Sequence, residues 1–153
     1  MFLPMGTELQ PGRHQASEPH KALVLVVDDF ADNREMYSEY LSFSGYDVIE
    51  AKNGLEAIAA AQDRMPDIIV MDLSLPLMDG WEATRRLKAD ERTRQIPVVA
   101  LTGHALAGHS RGAREAGCDS FLAKPCLPDQ LVAEIRRMLE SGKATIARTR
   151  GPR

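Results

Sequence analysis

Five short apolar runs, separated by amphipathic stretches, limit the folds open to this chain. Each run has the length of a β-strand, and four of the five are apolar nearly throughout, as expected when helices cover both faces of a parallel sheet. The second run carries the polar residues Asp47 and Glu50 and therefore fits an edge strand. The runs are ALVLVV (22–27), YDVIEA (46–51), DIIVM (67–71), IPVVAL (96–101) and SFLA (120–123).

The stretches between the runs have helical patterns. Asp32 is predicted to cap the first helix, Ser44 and Gly45 to end it, and Pro128 to lie in the first turn of the last one. Alternating strands and helices predict an α/β fold with a doubly wound parallel sheet. The predicted helices cover about 31–44, 54–64, 80–90, 105–116 and 128–141.

The two ends of the chain differ from this pattern. Residues 1–20 contain three prolines and no helical or strand period, which predicts a flexible N-terminal tail ahead of a folded domain at 21–141. Residues 142–153 carry basic side chains and no acid. We interpret this segment as a flexible basic C-terminal tail, with a basic interaction arm as the alternative.

Composition excludes several classes of protein. The chain has 153 residues, and 19 Lys and Arg against 22 Asp and Glu leave a net charge of -3, which favours neither nucleic acid nor anionic lipid. No signal peptide and no run of 18 apolar residues is present, so we expect a cytoplasmic protein without membrane insertion. Cys118 and Cys126 lack metal-site spacing and are predicted to be buried or half-buried free thiols.

Polar residues stand where the predicted strands end. Asp28 and Asp29 follow the first run, Asp72 the third, Thr102 the fourth and Lys124 the fifth. Any one of them alone would be interpreted as a turn residue, a helix cap or a solvated side chain. In an open parallel sheet, however, ligands bind outside the carboxyl ends of the strands, so together these residues predict one site.

The residue types at this predicted site indicate phosphoryl chemistry. Three adjacent carboxylates repel one another unless a cation lies between them. Oxygen ligands without cysteine or histidine favour Mg²⁺, with Mn²⁺ possible, and Mg²⁺ keeps coordination positions open for phosphate oxygens. Lys124 and Thr102 are suited to hold such oxygens. Asp72 would then be the nucleophile that forms an aspartyl phosphate.

Four segments of the chain resemble the receiver domain of bacterial two-component response regulators. They are VLVVDDFADNRE, VMDLSLPLMDGWEA, VVALTGHA and AGCDSFLAKPC, and the resemblance extends over roughly residues 22–140. It implies a flavodoxin-like fold with a five-stranded parallel sheet in the order 2-1-3-4-5. Two helices would cover one face of that sheet and three the other.

The resemblance also implies roles for individual residues. Asp72 would be the phosphoacceptor, and Asp28 and Asp29 would hold Mg²⁺ together with Asp72 and the backbone carbonyl of Ser74. Lys124 would contact the phosphoryl group.

A second set of residues would report phosphorylation to a partner. Thr102 would move toward the phosphoryl group, and Phe121, which replaces the commoner tyrosine, would be the switch aromatic. His104 is expected to affect the rate of dephosphorylation. Gly108 and Gly112 would soften the fourth predicted helix, which in the family belongs to the output face with the fifth strand and fifth helix.

The leading functional hypothesis is a stand-alone response regulator rather than a conventional turnover enzyme. It would promote its own phosphorylation and dephosphorylation, accepting the phosphoryl group from a phosphohistidine of a histidine kinase or a histidine phosphotransfer protein. It would act on a downstream protein partner and not on nucleic acid directly. One alternative is a magnesium-dependent phosphohydrolase, which is disfavoured because Ser74 stands where such an enzyme needs a second aspartate. The others are a receiver-like scaffold and a fragment of a hybrid kinase or larger regulator.

Overall fold

One five-stranded parallel sheet organises the protein. The computed structural model describes residues 21–75, 77–103 and 114–142, together with the backbone of 143–150. The strand order is β2-β1-β3-β4-β5, which confirms the predicted fold and the edge position of the second strand. The strands are β1 (Leu23–Val27), β2 (Asp47–Ala51), β3 (Ile68–Asp72), β4 (Val98–Thr102) and β5 (Ser120–Ala123).

Helices follow four of the five strands in the described residues. The helix predicted at 105–116 falls mostly on residues outside the described ranges. None of the helices in the described ranges is long and apolar enough to cross a lipid bilayer. The helices are α1 (Ala31–Phe43), α2 (Gly54–Arg64), α3 (Gly80–Ala89) and α4 (Pro128–Arg150).

The predicted start and end of the first helix are confirmed, but the residue predicted to cap it was wrong. Phe30, and not Asp32, occupies the N-cap position of α1, and it makes no side-chain capping bond. Asp32 lies in the first turn, where the helix dipole favours a negative charge without a capping geometry. Ser44 is the C-cap, and Gly45 follows with a φ of 104°, a conformation that favours glycine.

The last helix begins at Pro128 as predicted but continues to Arg150, beyond the predicted end at Ser141. A single glycine at position 142 costs only about 1 kcal/mol of helix propensity, and the alanine, lysine and arginine residues after it favour a helix. The predicted boundary between domain and C-terminal tail therefore does not coincide with the end of the helix. The N-terminal tail predicted at 1–20 lies outside the described residues.

Two hydrophobic cores hold the helices on the sheet. Side chains of α2 and α3 pack on one face, where Trp81 and the half-buried Cys118 also lie. Side chains of α1 and α4 pack on the other face with the buried Cys126. The thiols are free, as predicted. Large, fully buried side chains of the sheet include Val24, Leu25, Ile68, Ile69, Met71 and Leu101.

The central strand β3 is buried along its whole length. It pairs with β1 on one side and β4 on the other, and Asp72, its last residue, lies opposite Leu101. Because all strands are parallel, their carboxyl ends meet at one edge of the sheet. This edge carries the predicted site.

Candidate functional site

Three carboxylates meet at the carboxyl ends of β1 and β3. One oxygen each from Asp28, Asp29 and Asp72 lie within 4.8 Å of one another. Asp28 and Asp72 are almost fully buried, at 1% and 3% exposure, whereas Asp29 is exposed. The fold thus brings together the acidic residues that the sequence places on two separate strands, and one side of the cluster is open to solvent.

Of the two buried carboxylates, Asp28 is less fully satisfied by the protein than Asp72. Its Oδ1 accepts a hydrogen bond from the backbone N–H of Phe30 at 2.9 Å, but the buried Oδ2 has no hydrogen-bond partner. Burial raises the pKa of Asp28, the Phe30 hydrogen bond opposes this, and the charge of Asp72 raises the pKa further. A buried oxygen without a partner is costly, so a cation next to Oδ2 would compensate it. The cluster therefore fits a divalent metal ion with oxygen ligands.

The backbone of Asp28 is anchored from the helix that follows it. Arg34 on α1 donates from Nη1 to the Asp28 carbonyl oxygen at 2.8 Å, and its Nε pairs with Glu50 on β2 at 2.9 Å. The backbone N–H of Asp28 in turn donates to Ala51 at 3.1 Å. These bonds hold the end of β1 in place while the Asp28 side chain faces the cluster.

Both carboxylate oxygens of Asp72 accept hydrogen bonds. Oδ1 accepts from the backbone N–H of Ser74 at 2.9 Å, and Oδ2 accepts from Lys124 Nζ at 3.0 Å. The Asp72 side chain is 4% exposed and that of Lys124 27%, so this is a largely desolvated ion pair at the mouth of the site. The peptide bond between Lys124 and Pro125 is cis. The metal-ligand role predicted for the Ser74 carbonyl stays a prediction.

Thr102 and Phe121 lie on the two strands beyond β3. Thr102 is buried at the end of β4, and its carbonyl oxygen accepts from the backbone N–H of Lys124 at 2.7 Å. Phe121 on β5 is partly buried against the core, with the Arg114 guanidinium carbon 5.4 Å from the centre of its ring. The backbones of Thr102 and Lys124 are thus hydrogen-bonded at the edge of the site, and the ring of Phe121 lies on the adjoining strand. The predicted roles of His104, Gly108 and Gly112 fall on residues outside the described ranges.

Two contributors to the site were not identified as such from the sequence. Gly80, predicted only as a helix start, lies against the backbone of Asp72 and Leu73, with no room for a side chain. Tyr37 is buried on α1 and reaches the loop after Lys124. A tyrosine in the same apolar stripe as Leu41 was the available signal, because a buried phenol usually has a hydrogen-bond partner.

An acidic cluster beside a lysine, at the carboxyl edge of a doubly wound sheet, defines a receiver-type α/β domain. The family model for the response regulator receiver domain matches residues 24–136. The chain therefore belongs to the response regulator receiver domain family.

Curated relatives and solved structures agree with this assignment. The polar-differentiation response regulator DivK of Brucella anthropi is 36% identical over 116 residues, which cover 76% of this chain and 94% of DivK. The chemotaxis response regulator CheY4 of Vibrio cholerae has a TM-score of 0.74 at 31% identity, covering 77% of this chain and 98% of CheY4. A second solved structure is the receiver domain of the sensor histidine kinase PA1611 of Pseudomonas aeruginosa, which has a magnesium ion in its active site cleft. It has a TM-score of 0.69 at 34% identity, covering 80% of this chain and 97% of the PA1611 receiver domain.

Proposed function

We propose that this receiver domain accepts a phosphoryl group on Asp72 from a phosphohistidine of a histidine kinase or a histidine phosphotransfer protein. The observation that carries the proposal is the environment of Asp72. Its carboxylate ends the central strand, is oriented by Ser74 and Lys124, and lies within a carboxylate cluster open to solvent on one side. This combination is suited to a nucleophile held rigidly at the edge of a site.

Asp28, Asp29 and Asp72 would hold Mg²⁺, or Mn²⁺ in its place, with the Ser74 carbonyl as a further ligand. The unpartnered Oδ2 of Asp28 supports this assignment, as does the magnesium ion in the PA1611 receiver domain. When bound, the ion neutralises charge on the phosphoryl oxygens and on the carboxylates.

The protein's own groups then have distinct tasks. One Asp72 oxygen attacks phosphorus in line, a P–O bond forms, and the P–N bond to the donor imidazole breaks, with the electron pair leaving on nitrogen. The Ser74 N–H holds the carboxylate in orientation. Lys124, already 3.0 Å from Asp72, exchanges its carboxylate partner for a phosphoryl oxygen.

The exchange of partners by Lys124 would also support a conformational switch. Thr102 would turn its hydroxyl toward the phosphoryl group, and Phe121 would move into the space beside it. The output face would comprise the fourth predicted helix, β5 and α4, and would bind a downstream protein partner. In this proposal the chain acts in the cytoplasm as a signalling component without direct contact to nucleic acid, and its chemistry is limited to its own phosphorylation and dephosphorylation.

Intact mass spectrometry after incubation with acetyl phosphate and Mg²⁺ tests the proposal. We expect a single phosphoryl adduct on the wild type and on Asp63→Asn, which changes an exposed carboxylate away from the site. We expect none on Asp72→Asn or after chelation of Mg²⁺. Phosphohistidine donors are assayed in parallel. An adduct that persists on Asp72→Asn would place the acceptor elsewhere, and absence of an adduct with every donor would favour a phosphorylation-independent scaffold.

Lys124→Ala tests the switch separately from acceptance. We expect this variant to take up the phosphoryl group more slowly and to lose the phosphorylation-dependent changes in the amide NMR signals of Thr102 and Phe121. Wild-type changes in those two signals would refute the role given to Lys124.

A further inference from the structure

A buried hydrogen bond connects α1 to the loop that carries Lys124. Tyr37 is 5% exposed, and its hydroxyl donates to the backbone carbonyl of Cys126 at 2.8 Å across 89 positions of sequence. Cys126 is two residues after Lys124 and is itself buried. A helix on one side of the sheet thus contacts the loop whose lysine pairs with Asp72.

The loop is held at two points on either side of the lysine side chain. Ahead of it, the Lys124 N–H donates to the Thr102 carbonyl on β4. Behind it, the Tyr37 hydroxyl donates to the Cys126 carbonyl. This carbonyl does not accept one of the first backbone bonds of α4, because the N–H groups of Gln130 and Leu131 donate to the Leu127 carbonyl instead. The tyrosine hydroxyl is therefore the contact that ties this carbonyl to the rest of the domain.

The tyrosine keeps its proton under all ordinary conditions. Burial, together with the negative charges of a Cys126 thiolate, Asp28 and Asp72, raises the pKa of Tyr37 to about 12. The hydroxyl is therefore a constant donor to the Cys126 carbonyl. A constant donor is suited to positioning and not to proton transfer.

We propose that Tyr37 is a positioning residue that holds the loop 124–127 so that the Lys124 ammonium group meets Asp72 and the incoming phosphoryl group. The expected effect of Tyr37 on phosphorylation rests on the proposed function. The expected effect on the position of the Lys124 ammonium group does not. Removal of the hydroxyl lets the Cys126 carbonyl move, and the Lys124 ammonium group loses its fixed distance to Asp72. Small displacements of a positioned charge reduce the rate of a reaction more than they reduce binding of the substrate.

Tyr37→Phe removes the hydroxyl and keeps the ring in the core. Tyr40→Phe is the matched control, because Tyr40 lies on the same helix and is 40% exposed. The first readout is the side-chain ammonium NMR signal of Lys124, assigned by its absence in Lys124→Ala. We expect this signal to shift or broaden in Tyr37→Phe and to match the wild type in Tyr40→Phe. An unchanged signal in Tyr37→Phe overturns the proposal, whether or not the protein is phosphorylated.

The second readout is the rate of phosphorylation at saturating acetyl phosphate. We expect Tyr37→Phe to be about fivefold slower, the effect of one net hydrogen bond, with an unchanged half-saturating concentration of acetyl phosphate. In a double-mutant cycle, the effect of Tyr37→Phe should disappear in the Lys124→Ala background, because the tyrosine acts through the lysine. Additive losses would overturn the proposal and indicate a general structural role. A wild type that neither acetyl phosphate nor a phosphohistidine donor phosphorylates would contradict the proposed function, while the ammonium signal would still decide the role of Tyr37.

Discussion

Substitution of Gly80 by alanine probes how closely α3 approaches the candidate phosphoacceptor. A Cβ at position 80 would clash with the carbonyl oxygen of Asp72, and it would lie 2.8 Å from Leu73 Cα and 3.0 Å from Met71 Cγ. Carbon atoms in contact are normally about 3.5–4.0 Å apart. Two of the three neighbours are backbone atoms of β3 and the residue that follows it, so they cannot move aside by rotating a side chain.

The cost follows from this geometry. Relief of the clash requires α3 to move away from β3, and forced overpacking of this kind costs about 1–3 kcal/mol. The helix propensity that alanine gains over glycine is at most about 1 kcal/mol and is small at the first position of a helix. We therefore expect Gly80→Ala to lower the free energy of unfolding by about 2 kcal/mol and to slow phosphorylation of Asp72.

Urea denaturation followed by circular dichroism measures the change in stability. Gly142→Ala is the matched control, because a Cβ there meets no atom within 4 Å and Gly142 lies inside α4. This control should raise the free energy of unfolding by about 0.5–1 kcal/mol. Equal effects of the two substitutions, or wild-type stability of Gly80→Ala, would refute the steric argument.

Two further substitutions test electrostatic contributions. Burial raises the pKa of Asp28 above its ordinary value of 3.8. Between these two pKa values the native state binds more protons than the unfolded state, so the free energy of unfolding falls as pH rises through that range. In Mg²⁺-free buffer, Asp28→Asn should therefore stabilise the protein at pH 7 by about 1 kcal/mol but not at pH 3, and a pH-independent effect would contradict this. Lys88 Nζ donates to the Ile96 carbonyl at 2.8 Å and to Asp119 at 2.9 Å. Loss of both bonds in Lys88→Met should lower the free energy of unfolding by about 2 kcal/mol. The control Arg85→Met removes an exposed ion pair and should lower it by less than about 0.5 kcal/mol. Similar losses in the two variants on urea denaturation would show that the bonds of Lys88 contribute little.

Much of the fold was predictable because it depends on local patterns. Strand length, apolar runs and amphipathic spacing are properties of neighbouring residues. They located the five strands and the helices of the described residues, most of them to within one or two residues at each end. The exceptions have local causes. Phe30 precedes α1 without a capping side chain, and α4 continues through Gly142 because one glycine is too small a penalty to end a helix.

The charged residues of the candidate site were predictable from the sequence, but their arrangement was not. Asp28, Asp29, Asp72 and Lys124 follow strands that end at one edge of a parallel sheet, so topology alone requires them to be near one another. The sequence offers no way to distinguish the buried Asp28, with its unpartnered oxygen, from the exposed Asp29 beside it. That difference depends on the direction in which β1 leaves the sheet.

The sequence by itself therefore determined the class of fold and the residue types at the strand ends, since both follow from periodicity and from the parallel connection of strands. Only the tertiary structure decided that Tyr37 holds the loop of Lys124 and that Gly80 lies against Asp72. The physical reason is that both contacts join separate elements of the fold. Such contacts depend on where a packed helix lies on the sheet, to within an ångström, and no local pattern carries that information.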